Sequence, residues 1–326
     1  MYSEDLKFSL WADFIEREYL DNEFKALIAK KIINGATSNP AIFKNAILNS
    51  DAYLHQLKSL EGMSAKEKYE AVAIYDIQKA ADILRPLFER GDDGYVSIEV
   101  DPYLCDDATA TIAEGKRLFE RIARENVMIK VPATEAGYEA MQALSAEGIP
   151  LNATLIFKKE QAIRCAEAFK KGGEKYGKSV DTVISIFVSR VDRALDAFLV
   201  EHNIAPALTG IYNSSAIYTA IEEMQVPGCR ALFASTGVKD DSLPPYYYVE
   251  KLLAYNSVNT APIDTIKAFD ADAKKEKALP IEQNIINEHF DKLKEVGIDL
   301  DAVLQKQIDD GLEAFKEAFK EILEAL

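Results

Sequence analysis

Asn126-Val-Met-Ile-Lys-Val-Pro132 is an apolar run of strand length with one lysine in its middle and a proline at its end. In a strand, Val127 and Ile129 share one face, and Met128 and Lys130 share the other. Burying a lysine among Val and Ile is costly, because desolvation disfavours the charged amine. The same desolvation favours the neutral amine, the form that attacks a carbonyl. On this stretch alone the commoner reading is an edge-strand lysine reaching back to solvent. Its surroundings in the chain have to decide.

Outward from this strand the chain alternates strand and helix. On the N-terminal side come Ser9-Leu-Trp-Ala-Asp13, a helix over 16–33, Gly35-Ala-Thr-Ser-Asn-Pro40, a long helix over 64–90, Tyr95-Val-Ser-Ile-Glu-Val100 and a helix over 107–125. A helix over 135–146 follows the lysine strand. Then come Leu151-Asn-Ala-Thr-Leu-Ile-Phe157 with a helix over 158–171, and Thr182-Val-Ile-Ser-Ile-Phe-Val188 with helices over 190–201 and 213–224. Arg230-Ala-Leu-Phe-Ala-Ser-Thr236 and a weaker Ser257-Val-Asn-Thr-Ala261 complete the strands; 271–278 reads as loop. Leu304, Ile308, Leu312, Phe315, Phe319 and Ile322 form one apolar stripe on a last helix over 299–325. There is no P-loop, and no G-x-G-x-x-G follows the first strand. Eight alternations without a strong linker predict an α/β fold: a single (β/α)8 TIM barrel domain over 1–326, with additional helices at the termini and the C-terminal helix packed on the barrel.

Composition bounds the function. Of 326 residues 48% are hydrophobic and 28% charged, the profile of a soluble globular chain. A net charge of −16 argues against nucleic acid or an anionic membrane as partner, though local basic groups can still hold a small anion. The N-terminus has no apolar signal core, and Cys105, Cys165 and Cys229 are odd in number and widely spaced. A cytoplasmic location with reduced thiols is expected, and no zinc motif.

Residues near the C-terminal ends of barrel strands face the active site. There the sequence places Asp13, Thr37, Asn39, Ser97, Glu99, Lys130, Asn152, Thr154, Ser185 and Ser235. Thr37/Asn39, Ser97/Glu99, Asn152/Thr154 and Ser185/Phe187 are each two apart, so each pair shares a face. Singly, each has an ordinary structural reading; jointly they put polar groups from seven strands at one depth. Two acids, one amine and several amides suit imine chemistry, with a buried Lys–Glu ion pair as the alternative. His55, His202 and His289 lie outside every strand and are expected in loops or at the surface, so no metal site is expected.

At these residues the sequence resembles the transaldolases, the Schiff-base enzymes of the pentose phosphate pathway. The resemblance is carried by Gly35-Ala-Thr-Ser-Asn-Pro-Ala-Ile-Phe43, Val96-Ser-Ile-Glu-Val100, Val127-Met-Ile-Lys-Val-Pro132, Leu151-Asn-Ala-Thr-Leu-Ile-Phe157, Ser185-Ile-Phe-Val-Ser-Arg-Val-Asp192 and Ala234-Ser-Thr-Gly-Val-Lys239. These recur in the family's order from residue 9 to about 262; the first strand and the tail after Gly297 look like its longer bacterial branch. The resemblance implies that Lys130 forms the Schiff base, that Glu99 works through a water, and that Asp13 takes and returns the proton of the C4 hydroxyl. It assigns Thr37, Asn39, Asn152, Thr154 and Ser185 to the dihydroxyacetone part and the catalytic water, Phe187 to the pocket wall, and Arg190 with Ser235 to the phosphate. Where much of the family has a second arginine this chain has Gly237, which leaves Lys239 as the nearest cation to assist.

The expected reaction moves a dihydroxyacetone unit from sedoheptulose 7-phosphate or fructose 6-phosphate to glyceraldehyde 3-phosphate or erythrose 4-phosphate, with no metal or organic cofactor. The imine nitrogen is the electron sink. Sugar phosphates are the expected partners, without nucleic acid or membrane, in a monomer or homodimer. The runner-up is a fructose-6-phosphate-type aldolase that releases dihydroxyacetone; a barrel that only binds sugar phosphates is the non-enzymatic alternative.

Overall fold

The computed structural model describes residues 5–239 and 242–326. Eight parallel strands close into a barrel in chain order: β1 (Ser9–Ala12), β2 (Gly35–Thr37), β3 (Val96–Glu99), β4 (Val127–Pro132), β5 (Leu151–Ile156), β6 (Thr182–Phe187), β7 (Cys229–Ala234) and β8 (Val258–Ala261). β8 pairs back onto β1, with Ser9 opposite Val258 and Ala12 opposite Ala261. Strand alternation separates two buried clusters. Val127 and Ile129 join the layer between barrel and helices, whereas Met128 packs inside with Trp11, Val183, Leu232 and Val258. Trp11 fits the interior because its register partner is Gly35; a Cβ there would lie 2.5 Å from the indole. The N-terminal end is sealed by polar pairs: Arg230 grips Asp93 with two hydrogen bonds (2.6 and 3.2 Å), Trp11 Nε1 donates to Asp93 Oδ2 (3.0 Å), and Tyr95 donates to Asp181 (2.6 Å).

Besides an earlier start to the helix expected over 213–224 (Thr209–Met224) and an unexpected helix Ile263–Asp272, the helical layer departs from expectation in four places. The single helix expected over 16–33 is two, Arg17–Asp21 and Glu23–Ala29, broken where the Asn22 side chain donates to the Glu18 carbonyl (2.8 Å) and competes with the backbone ladder. Pro40 does not merely end a strand: it opens helix Pro40–Asn49, capped by Asn39 Oδ1 accepting from the Ile42 N–H (3.0 Å). The helix expected to stop near 171 runs over Lys159–Tyr176, to Gly177 in the left-handed region (φ 81°). The fourth is His289, expected in a loop or at the surface. It is buried on helix Gln283–Glu295 between Ile286 and Leu293, its Nε2 2.8 Å from Thr209 Oγ1. His55 and His202 are exposed, in helix Leu54–Ser59 and just after helix Ser189–Glu201. All three cysteines are free and buried.

The last helix, Leu300–Ala325, is N-capped by Asp299 and crosses the C-terminal end of the barrel. Its Leu304, Ile308 and Phe315 share a cluster with Leu155, Phe157 and Phe187 of the strand ends. Further along, Phe319 meets Tyr69 edge-on (5.2 Å) and Lys44 pairs with Glu321, tying it to helices Ala65–Phe88 and Pro40–Asn49. Among the described residues no helix is long and apolar enough to cross a membrane.

Candidate active site

The polar strand ends converge on one cavity of about 100 Å³ at the C-terminal mouth, lined by Asp13, Thr37, Asn39, Lys130, Ser185, Phe187, Arg190, Ala234, Ser235, Thr260 and Phe315. Lys130 lies at its floor, 5% exposed. Its Nζ donates to the Ser38 carbonyl (3.1 Å) and sits 3.4 Å from Glu99 Oε2. Parallel register sets this pairing, since Glu99, Lys130 and Asn152 are successive partners across β3, β4 and β5. Burial pushes the Glu99 carboxyl up to about 7 against the pull of the lysine, with Asp13 adding to the rise. A carboxyl poised near neutrality beside an amine is suited to exchanging protons with it.

Two hydrogen-bond chains hold the walls. In one, Ser185 donates to Asn152 Oδ1 (2.6 Å) and Asn152 Nδ2 donates to Ser97 Oγ (3.2 Å), fixing the amide's orientation. In the other, Thr37 donates to Asp13 Oδ1 (2.7 Å) while its own oxygen lies 2.6 Å from Thr260 Oγ1. Thr37 has one proton, so Thr260 supplies the second hydrogen bond. Burial raises the Asp13 carboxyl, opposed chiefly by the charge of Lys130. Beside Lys130's neighbours, Thr154 Oγ1 is buried without a hydrogen-bond partner in the protein, and Glu99 Oε2 meets only the lysine's charge. Such oxygens are where an ordered water or a substrate hydroxyl would be held.

At the outer end Arg190, the second residue of helix Ser189–Glu201, is half-buried with its guanidinium 5.1 Å from the Phe187 ring centroid. Among the described residues no carboxylate or hydrogen-bond acceptor is paired with it. Ser235, held in the left-handed region (φ 55°), accepts the Ser189 N–H at its carbonyl (3.1 Å), and the two hydroxyls are 3.1 Å apart. A free guanidinium, a serine hydroxyl and a helix start make a place for an anion.

A match to the Transaldolase/Fructose-6-phosphate aldolase family runs over residues 10–326. The chain belongs to that family. A transaldolase of Campylobacter jejuni (strain 81-176) is 48% identical to it over 332 residues, covering 98% of this chain and 99% of the relative. A transaldolase of Helicobacter pylori (strain Shi470) is 44% identical over 318 residues, covering 97% and 98%. Within the family, relatives this similar over their whole length are transaldolases, so this chain is an enzyme and a transferase.

The structure brings together Lys130, Glu99, Asp13, Thr37, Asn39, Asn152, Thr154, Ser185, Phe187, Arg190 and Ser235 at one end of the barrel. Lys239 is exposed and does not line the cavity. Besides the small Ala234, two wall residues escaped the sequence reading. Thr260 obeys the same inward alternation as the chosen polar residues, two positions beyond Val258, so the signal was present in a strand that reads as weak. Phe315 reads as one more apolar residue of a helix stripe.

Proposed function

We propose that this transaldolase-family enzyme transfers a dihydroxyacetone unit between sugar phosphates through a Schiff base on Lys130. The single observation that carries the reading is an amine buried at the floor of the mouth cavity, 3.4 Å from a carboxylate. The Lys130 amine adds to the C2 carbonyl of a ketose phosphate, and the carbinolamine loses water to give the iminium, Glu99 moving protons through a water. Asp13 then takes the C4 hydroxyl proton. The C3–C4 bond breaks, its electron pair flows to the iminium nitrogen, and an aldose phosphate leaves. The enamine attacks the aldehyde of the acceptor, Asp13 returns its proton to the new alkoxide, and hydrolysis frees the lysine. Thr37 orients Asp13, Asn39, Asn152, Thr154 and Ser185 hold hydroxyls and water, Phe187 bounds the pocket, and Arg190 with Ser235 holds the phosphate. Lys239 would add to that grip only from a rearranged loop.

Fructose 6-phosphate and sedoheptulose 7-phosphate are the donors this reading proposes, with erythrose 4-phosphate and glyceraldehyde 3-phosphate as acceptors. It also proposes one catalytic domain, as monomer or homodimer, working in the cytoplasm in the pentose phosphate pathway. Sodium borohydride added with fructose 6-phosphate should fix a three-carbon adduct, and peptide mapping should find it on Lys130. An adduct on another lysine, or none, removes the mechanism.

A further inference from the structure

We infer that Phe315, brought to the cavity by the C-terminal helix, is a specificity-determining residue: it decides how much of the three-carbon intermediate is transferred and how much is lost to water. The inference rests on the Schiff-base reading above and extends it to a residue outside the barrel strands.

Three observations carry it. The Phe315 ring lines the same cavity as Lys130 and Asp13, and its centroid is 5.8 Å from Lys130 Nζ. The ring is 4% exposed and belongs to the buried apolar cluster that also holds Phe157, Phe187, Leu304 and Ile308. The helix that carries it is seated closely on the mouth: a Cβ at Gly311, one turn earlier, would lie 2.9 Å from Leu155 Cδ2 and 3.5 Å from an Arg190 guanidinium nitrogen. The helix therefore roofs the site from the lysine at one end to the anion-holding arginine at the other.

The chemistry gives that roof a job. The enamine on the lysine has two fates. It can add to an acceptor aldehyde, or take a proton at carbon and be hydrolysed, consuming one water and releasing dihydroxyacetone with the free amine. Both fates end with water freeing the lysine from an iminium, but only the second needs water beside the enamine carbon as the source of its proton. An apolar ring over the lysine thins that water, and its face also favours the iminium cation through which both fates pass. With its phosphate held at Arg190, the acceptor would present its aldehyde to the enamine beneath the same ring.

The test compares wild type with Phe315→Ala, Phe315→Val and Phe315→Leu. It measures free dihydroxyacetone formed from fructose 6-phosphate without acceptor, and the transfer product formed with erythrose 4-phosphate. The release-to-transfer ratio is expected to rise roughly 10-fold in the alanine variant, a ~1.4 kcal/mol change in relative barriers, to rise less in the valine variant, and to stay within about twofold in the leucine variant. A ring with only a structural role would lower both rates together and leave the ratio alone. An unchanged ratio in Phe315→Ala, or in Phe315→Val should the alanine variant fail to fold, overturns the assignment. Borohydride trapping on wild type separates the two levels: an adduct on Lys130 with an unchanged variant ratio defeats only the role of Phe315, whereas no adduct on Lys130 defeats the Schiff-base reading beneath it.

Discussion

Lys130 must be fixed firmly among its neighbours and still open enough to meet a carbonyl, and the cavity floor supplies both. Lys130→Arg should keep the fold and the contact with Glu99 but abolish transfer and borohydride labelling, because a guanidinium stays protonated. Residual labelling in that variant would point to a different nucleophile. Arg190 belongs to the other end of the substrate. Arg190→Ala should raise KM for the phosphorylated donor roughly 10-fold or more with a smaller change in kcat, reflecting about 1.5–3 kcal/mol of charge-assisted hydrogen bonding. Steady-state kinetics with phosphorylated and unphosphorylated ketoses would check it, since the defect should vanish without the phosphate. At this scale much of the site was legible. A polar residue inside a Val/Ile run is conspicuous, and a period of two tells which face it joins; Lys130, Glu99 and Asn152 were found that way. Thr260 followed the same rule in a strand too short and mixed to draw notice. Lys239 shows the converse: proximity in sequence to a motif did not bring its side chain into the cavity.

Elements were legible where apolar periodicity was long and failed where a side chain overruled it. Nothing in the spacing of Leu20, Phe24 and Leu27 reveals that the Asn22 side chain bonds the Glu18 carbonyl and breaks the helix. Pro40 reads equally as a strand end or a helix start, and only the Asn39 cap decides. The stripe on helix Leu300–Ala325 announces that one face is covered, but a stripe does not say by which surface. That surface includes the barrel mouth, which makes Gly311 a sensitive position. Gly311→Ala gains up to about 1 kcal/mol of helix propensity but forces a methyl against Leu155, which is itself buried at a bulge (φ 60°) and has little room to give. Overpacking of this kind costs roughly 1–3 kcal/mol. The expected outcome is a net loss in thermal stability and, as the helix shifts away from Leu155 over the neighbouring Arg190, a several-fold higher KM, read by melting and by kinetics. A variant more stable than wild type with an unchanged KM would show that the helix sits less closely.

For the whole molecule, the barrel could be read because eight strand–helix units leave few other closed arrangements, and strand order follows chain order throughout. The acidic balance of the chain hides a buried acid that matters for stability. Asp192 accepts the Gly210 N–H (2.7 Å), and burial, aided by Asp196, pushes its carboxyl from 3.8 up to about 7. The folded state therefore favours the protonated form. The stability this lends is full below the unfolded value and is lost as pH rises from about 4 through about 7, by roughly 2–4 kcal/mol. Asp192→Asn should lack that loss, so its stability relative to wild type should climb over the same interval; urea titrations at several pH values would show it, and a parallel pair of curves would mean that Asp192 is ionised in the fold. A last consequence follows from β8 closing onto β1. A chain emerging from the ribosome carries Asp13 and Lys130 long before Thr260 and Phe315, so β1 waits with an unpaired edge while most of the protein is still being made. Nascent chains halted before residue 258 should thus be protease-sensitive along β1 and catalytically silent. Synthesis itself would then act as a timer, withholding the reactive lysine's full pocket until the protein is nearly complete.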